Sequence, residues 1–205
     1  MNQKQLWNNL AKKNAKYYIN SDYGKGITEG EFRESGRQDY IKYILKDDLV
    51  SFNGTFLEIG CGTGRMTEFI SGIYRKVIGI DISGEMIRIA KGRLNHLSNI
   101  EWRETSGETI PLKDNTVDIA FSYLVFQHFK ERSMVEKNFE EVYRVLKPGG
   151  IFKVRIRSDK VDLDRWWGGV EYTEQSIGQL IKKIGFELLK TEPVGDYGFW
   201  IWLKK

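Results

Sequence analysis

Three glycines at alternate positions, Gly60, Gly62 and Gly64, follow the apolar run Thr55–Ile59 and precede a segment of helical character. Glycines in such a loop let the backbone turn tightly and lie directly against a ligand. A dinucleotide fingerprint would place its third glycine one residue later, where this chain has Arg65. Glu58, just ahead of the loop, is awkward for a pyrophosphate and suits a ligand that carries positive charge. Asp81 closes the next strand-like run, 21 positions after Gly60, where an acid bonds ribose hydroxyls in doubly wound folds. Together these residues point to an adenosine ligand whose tail is cationic rather than phosphorylated.

Residues of this kind must be held by strand ends. Short runs rich in β-branched and aromatic residues occur at TFLEIG, KVIGID, IEWRE, VDIAFS and IFKVRIR, alternating with helix-like segments at 65–71, 85–94 and 134–146. That alternation implies βαβ units and a mostly parallel sheet. The tail, FELLKTEPVGDYGFWIWLKK, reads as two strands joined at VGD in an antiparallel hairpin, after a helix beginning near Thr173. The expected fold is α/β, a Rossmann-like doubly wound sheet of seven strands with helices on both faces. The first fifty residues show two helical stripes separated by a polar bend at 20–30, and are expected to form a lid. One methyl-sized feature of the ligand then matters: S-adenosylmethionine carries both an ammonium and a sulfonium, and it fits the acidic glycine loop.

On these residues the chain resembles the class I S-adenosylmethionine-dependent methyltransferases. LEIGCGTG resembles the family's first motif, VIGIDIS the second, SGETIPLKDNTVDIAFS the third and fourth, and LKPGG the fifth. The match covers 52–154, with a weaker one over YTEQSIGQLIKKIGFEL. The resemblance implies that Glu58, Gly60, Cys61 and Gly62 line the methionine end and that Asp81 holds the ribose. It also implies that Ile82 and Met86 flank the adenine. Ser106 stands where the family usually has an Asp that accepts from the adenine amino group, so Gly107 and Glu108 are the neighbouring candidates for that contact. Ser122 and Tyr123 are expected near the transferred methyl. The whole chain, 1–205, reads as one methyltransferase domain, with a helical cap at 1–50, a cofactor-binding core at 51–154 and a substrate-side segment at 155–205.

The acceptor is narrowed by what is missing. The segment after VDIAFS contains no Asn/Asp-Pro-Pro-Tyr sequence and no cysteine, which argues against nucleobase amino methylation and against thiolate attack on a pyrimidine. A small-molecule O-, N- or C-nucleophile is the expected acceptor, with S-adenosylhomocysteine as the by-product. Two other readings remain at this stage: an RNA or protein methyltransferase acting with a partner, and a non-catalytic cofactor-binding protein. His128 is the one histidine placed to act as a base, with positioning duty the favoured alternative. Tyr17, Tyr18, Phe32, Trp166 and Trp167 are expected to line the acceptor pocket, along with His128 and Arg157. Lys153, Arg155 and Arg157 alternate along one strand, and a solvated sheet face is their expected setting.

Composition sets the outer bounds. The 205 residues carry 40% hydrophobic and 29% charged side chains, the balance of a folded domain. One cysteine, Cys61, and two histidines, His96 and His128, exclude an internal disulfide and a Cys/His zinc site, so no metal is expected. Residues 51–150 hold 13 Lys and Arg against 13 Asp and Glu, so the net +4 belongs to the flanks; this distribution argues against a nucleic-acid partner. No apolar run approaches the roughly 20 residues that span a bilayer, and MNQKQLWNNLAKKN lacks a secretory h-region, so a cytoplasmic protein without a membrane partner is expected. The oligomeric state is not legible.

Overall fold

Residues 2–52, 54–158, 168–194 and 198–205 are described by the computed structural model of the protein. They divide into two compact units, Met1–Gly107 and Glu108–Lys205.

The first unit opens with α1 (Gln3–Ile19), started by a capping box in which Asn2 accepts from the Gln5 N–H at 2.8 Å. This helix is kinked at Asn14 (φ −168°, ψ 84°). The Asn14 side chain accepts from the Tyr17 N–H at 3.2 Å and donates to the Lys25 carbonyl at 3.0 Å, so it restarts the helix while fastening the following bend. A second capping box, Thr28 with Glu31, starts α2 (Glu29–Tyr40). The helix continues as a π-helical turn at Ile41–Leu45, which the residue spacing had not foretold. Three parallel strands follow, β1 (Thr55–Ile59), β2 (Lys76–Asp81) and β3 (Ile100–Glu104), with β2 pairing both others. Every residue of β1 is buried, as expected for a parallel strand covered on both faces. The short α3 (Thr67–Ile70) and the longer α4 (Gly84–Arg93) connect them.

In the second unit, β4 (Val117–Ser122) pairs in parallel with β5 (Leu146–Arg157), and β7 (Gly198–Lys204) pairs antiparallel with both β5 and β6 (Glu187–Pro193). The strand order is β3-β2-β1-β4-β5-β7-β6, so the seven-stranded, mostly parallel sheet with an antiparallel end is present as expected. Of the VGD turn, Gly195 and Asp196 lie outside the described residues. Strand β5 begins earlier than the residues suggested, because α5 (Arg132–Val145) stops before Leu146 and the strand already includes LKPGG, with Gly149 turning at φ 81° inside it. A final helix, α6 (Glu174–Ile184), is capped by Thr173 and closed by Gly185 at φ 101°, a left-handed conformation that favours glycine.

One face of the second unit's sheet is sealed by aromatic rings. Phe139 meets Phe126 at 5.4 Å and Phe152 at 5.3 Å, both edge to face. On the other face Trp200 stacks on Phe121 at 5.7 Å and on Tyr123 at 5.6 Å. Lys153 on that face is only 3% exposed, its amine 4.9 Å from the Trp200 ring and 4.6 Å from the Trp202 ring. The expectation of a solvated face is therefore corrected at Lys153. Its ammonium is covered by two indoles instead of water, while Arg155 and Arg157 are half-buried.

Candidate active site

The glycine loop is built by strand pairing. The N–H groups of Gly60 and Cys61 both donate to the Ile80 carbonyl, at 2.8 and 3.0 Å, which carries the turn from the end of β1 over to β2. Gly60, Gly62 and Gly64 have φ of 71°, 54° and 79°, so all three positions require the left-handed region. Gly62 then donates its N–H to Asp81 Oδ2 at 2.9 Å, and Ser83 donates to Asp81 Oδ1 at 2.8 Å. Loop and acid are thereby one hydrogen-bonded piece.

Glu58 lies beneath this piece, 6% exposed, and accepts from the Thr67 hydroxyl at 2.5 Å. Burial pushes its carboxyl up to about 7, against the Thr67 bond and the nearby Arg65 charge, which both pull it down. Burial likewise raises Asp81 to about 6, opposed by the backbone N–H groups of Ser83, Gly62 and Ile82. Two carboxyls that are costly to ionise form a cradle that a cationic ligand relieves. The hydroxyl of Thr63, a residue 1% exposed, has no hydrogen-bond partner among the described residues, an orphan polar atom in the middle of the loop. These observations fit a ligand with a positive tail and polar groups laid on the loop. Cys61 has only a weak contact to the Gly62 carbonyl at 3.8 Å, and burial drives its thiol pKa well up, so it fills space rather than reacting.

Several residues that brace the loop carry no local signal in the sequence. Arg93, at the end of α4, donates to the Thr63 carbonyl at 2.7 Å and pairs with Glu29 at 2.8 Å. Trp102 on β3 lies directly under the loop: a Cβ on Gly64 would meet its ring at 2.8 Å, and one on Gly79 at 2.7 Å. A glycine inside a strand marks such close approach, and Gly79 is the one signal that would have pointed to Trp102. From above, Ile19 covers Gly62, whose Cβ would come within 3.0 Å of it. Asn8 Oδ1 accepts from the Ser83 hydroxyl at 2.8 Å and the Glu85 N–H at 3.1 Å, tying α1 to the start of α4. Lys4 pairs with Glu104 nearby.

The remaining residues singled out from the sequence are distributed as follows. Ile82 is half-buried and would touch a Cβ on Gly107 at 2.9 Å, so these two meet, while Met86 is 2% exposed on the first turn of α4. Ser106 is exposed. Tyr17 and Tyr18 stand edge to face at 5.0 Å on the restarted part of α1. Phe32 is wholly buried beneath the Arg93 guanidinium at 5.3 Å, in the interior of its unit.

In the second unit, Glu108 is exposed and pairs with Lys137 at 3.1 Å. Ser122 is buried at the end of β4 and Tyr123, half-buried, follows it. Leu124 then takes φ 58°, an uncommon conformation for a branched side chain, and redirects the chain into a 3₁₀ turn at Phe126–His128. His128 is buried there, its Nε2 3.4 Å from Gln127 Nε2. The segment before α6 abuts the same turn. Val170 donates to the Phe129 carbonyl at 2.7 Å, Lys130 bonds the Gly168 carbonyl, and a Cβ on Gly169 would strike the Gln127 carbonyl at 2.3 Å. Arg157 is half-buried at the end of β5, and Trp166 and Trp167 lie outside the described residues. Among the described residues no cluster of His, Cys, Asp or Glu is suited to a metal, and no helix is long and apolar enough to cross a membrane.

Comparison with known proteins agrees with this geometry. A family model described as a methyltransferase domain matches residues 57–154. An uncharacterized methyltransferase, C25B8.09 of Schizosaccharomyces pombe, is 30% identical over 172 residues, 77% of this chain and 66% of its own length. A demethylmenaquinone methyltransferase of Tropheryma whipplei is 36% identical over 94 residues, 46% of this chain and 38% of its own length. The chain thus spans less than two thirds of the length of these curated relatives. In fold it is similar to a SAM-dependent methyltransferase from Aquifex aeolicus, with TM-score 0.64 and 24% identity, over 87% of this chain and 98% of that one. The matched span contains the glycine loop, Asp81 and the strand β4 end alike, and the chain belongs to the class I S-adenosylmethionine-dependent methyltransferases.

Proposed function

We propose that this protein transfers a methyl group from S-adenosylmethionine to a small-molecule acceptor by in-line displacement. The observation that carries the reading is the fusion of the glycine loop to Asp81 through the Gly62 N–H, above the buried Glu58. When bound, S-adenosylmethionine supplies a methyl carbon already activated by its sulfonium. The chain's own residues then have mainly positioning to do. Asp81 would bond the ribose hydroxyls, and Gly60, Cys61 and Gly62 would offer backbone to the methionine end, with Glu58 beneath it balancing positive charge. Ile82 and Met86 would flank the adenine, with Ser106, Gly107 and Glu108 near its edge. Ser122 and Tyr123 would face the transferred methyl, and Tyr17, Tyr18, Arg157, Trp166 and Trp167 would contribute to the acceptor pocket, while Phe32, wholly buried under Arg93, packs the interior instead of lining the pocket.

His128 is read as a positioning group, since a base is needed only where the acceptor must lose a proton. The small-molecule acceptor is supported by the similarity to a demethylmenaquinone methyltransferase. We read the chain as one cytoplasmic methyltransferase domain, capped by its first fifty residues; the contact of Ile19 with Gly62 supports the cap. The test is incubation with methyl-labelled S-adenosylmethionine and a cell extract, followed by size fractionation. Label in the low-molecular-weight fraction is expected. Label confined to protein or RNA would replace the small-molecule reading with a macromolecular one.

A further inference from the structure

We infer that the acceptor is an anion, carrying a carboxylate or phosphate that is received by Arg155 beside Tyr123; this rests on the methyltransferase reading above. Side chains alternate across a strand, so Lys153, Arg155 and Arg157 share one face of β5. Register places Arg155 opposite Trp200 on β7, and Trp200 in turn stacks on Tyr123 at 5.6 Å with the ring planes 17° apart. The Arg155 guanidinium lies 5.8 Å from the Tyr123 ring centroid. Among the described residues that ring is the sole partner of the half-buried Arg155 guanidinium, which makes no side-chain hydrogen bond and no ion pair.

The contrast with other covered arginines is what gives this weight. Arg65 pairs with Asp39 at 2.7 Å, Arg93 with Glu29 at 2.8 Å, and Arg144 with Asp114 at 2.6 Å and Glu141 at 2.7 Å. These three partly covered arginines are matched to carboxylates, and Arg155 is not. Its neighbour Lys153 cannot take the same part, because its ammonium is enclosed by Trp200 and Trp202. A guanidinium whose face is set by an aromatic ring keeps its N–H fork open for two oxygens of a planar or tetrahedral anion. Tyr123 directly follows Ser122 at the end of β4, the position that the proposed reaction assigns to the transferred methyl. An anion on Arg155 would therefore orient the acceptor within reach of Tyr123.

The experiment titrates benzoate, phenyl phosphate and, as the neutral isostere, benzamide into the full chain, with and without saturating S-adenosylhomocysteine. Wild type, Arg155→Met and Arg155→Lys are compared by calorimetry. At least one anion is expected to bind about tenfold more tightly than benzamide, and which of the two does so separates a carboxylate site from a phosphate site. Arg155→Met should remove that preference, Arg155→Lys should restore part of it, and S-adenosylhomocysteine affinity should be the same in all three proteins. The inference is overturned if neither anion is preferred, or if the preference survives Arg155→Met. Failure of S-adenosylhomocysteine to bind wild type would instead overturn the methyltransferase reading, with the ligand-free titrations still judging Arg155.

Discussion

Gly62 and Asp81 are joined by a 2.9 Å hydrogen bond from the glycine N–H to Oδ2, across 19 positions of sequence. The bond makes the loop's shape and the carboxylate's orientation a single property. Because Ser83 occupies Oδ1 from the other side, the acid is aimed before any ligand arrives.

Replacing Asp81 by Asn puts an NH₂ donor against either the Gly62 or the Ser83 N–H and removes the charge. Cofactor affinity should fall by about tenfold to a hundredfold, about 1.4–2.8 kcal/mol. Calorimetry on Asp81→Asn and Asp81→Ala checks this. An unchanged affinity in both would reduce Asp81 to a structural role.

Cofactor binding should also depend on pH. Glu58 and Asp81 are raised to about 7 and about 6 by burial, so between their ordinary values and these the ligand-free fold holds more protons than the unfolded chain. The stability they contribute is therefore present at low pH and lost as pH rises through about 6 and then about 7. A cationic ligand favours the ionised carboxyls and reverses that loss. S-adenosylmethionine should bind more tightly at about pH 8 than at about pH 6, releasing protons, with a smaller difference for S-adenosylhomocysteine, which lacks the sulfonium. In Glu58→Gln, where the amide oxygen still accepts from Thr67, the dependence should flatten. A pH-independent affinity in wild type would show that neither carboxyl senses the ligand.

Gly79→Ala tests the support under the loop. The new methyl would lie 2.7 Å from Trp102 and 3.1 Å from Cys61 Sγ. Overpacking of this kind costs about 1–3 kcal/mol, and the displaced indole also abuts Gly64, so cofactor affinity should fall together with stability. The double variant Gly79→Ala, Trp102→Leu should recover part of the affinity. Urea denaturation and calorimetry read the two effects separately, and lost stability with intact affinity would disconnect Trp102 from the loop.

Leu124 holds φ 58° between Tyr123 and the His128 turn. A β-branched side chain tolerates this region least, so Leu124→Ile should lower stability by about 1–2 kcal/mol, and Leu124→Asn by less. Thermal melts rank the two, and the reverse order would mean that side-chain packing rather than backbone strain governs the position.

The parts of this architecture that depend on local pattern were legible in the residues. Strands such as TFLEI and VDIAFS announce themselves by apolar, β-branched composition, and Gly60, Gly62 and Gly64 mark a tight turn by their spacing, which gains meaning from Glu58 and Asp81 at the neighbouring strand ends. What escaped were effects of partners distant in sequence. Arg93 and Asn8 reach the loop and the start of α4 through folds of the chain that no window contains. The burial of Lys153 is decided by Trp200 and Trp202 on a strand some fifty residues later, so its alternation with Arg155 and Arg157 looked like an exposed face. The early start of β5 at Leu146 was hidden because Pro148, Gly149 and Gly150 resemble a turn, and Gly149 does bend the backbone at φ 81°, yet Leu146 already pairs with Val117 of β4 before that bend.

The central claim, that the loop, Glu58 and Asp81 form a cradle for an adenosine ligand with a cationic tail, is tested most directly by calorimetric titration of the protein with S-adenosylmethionine and, in parallel, NAD. The account predicts saturable binding of S-adenosylmethionine with one site per chain, and weaker or no binding of NAD. Tighter binding of NAD, or no heat with S-adenosylmethionine, would contradict it.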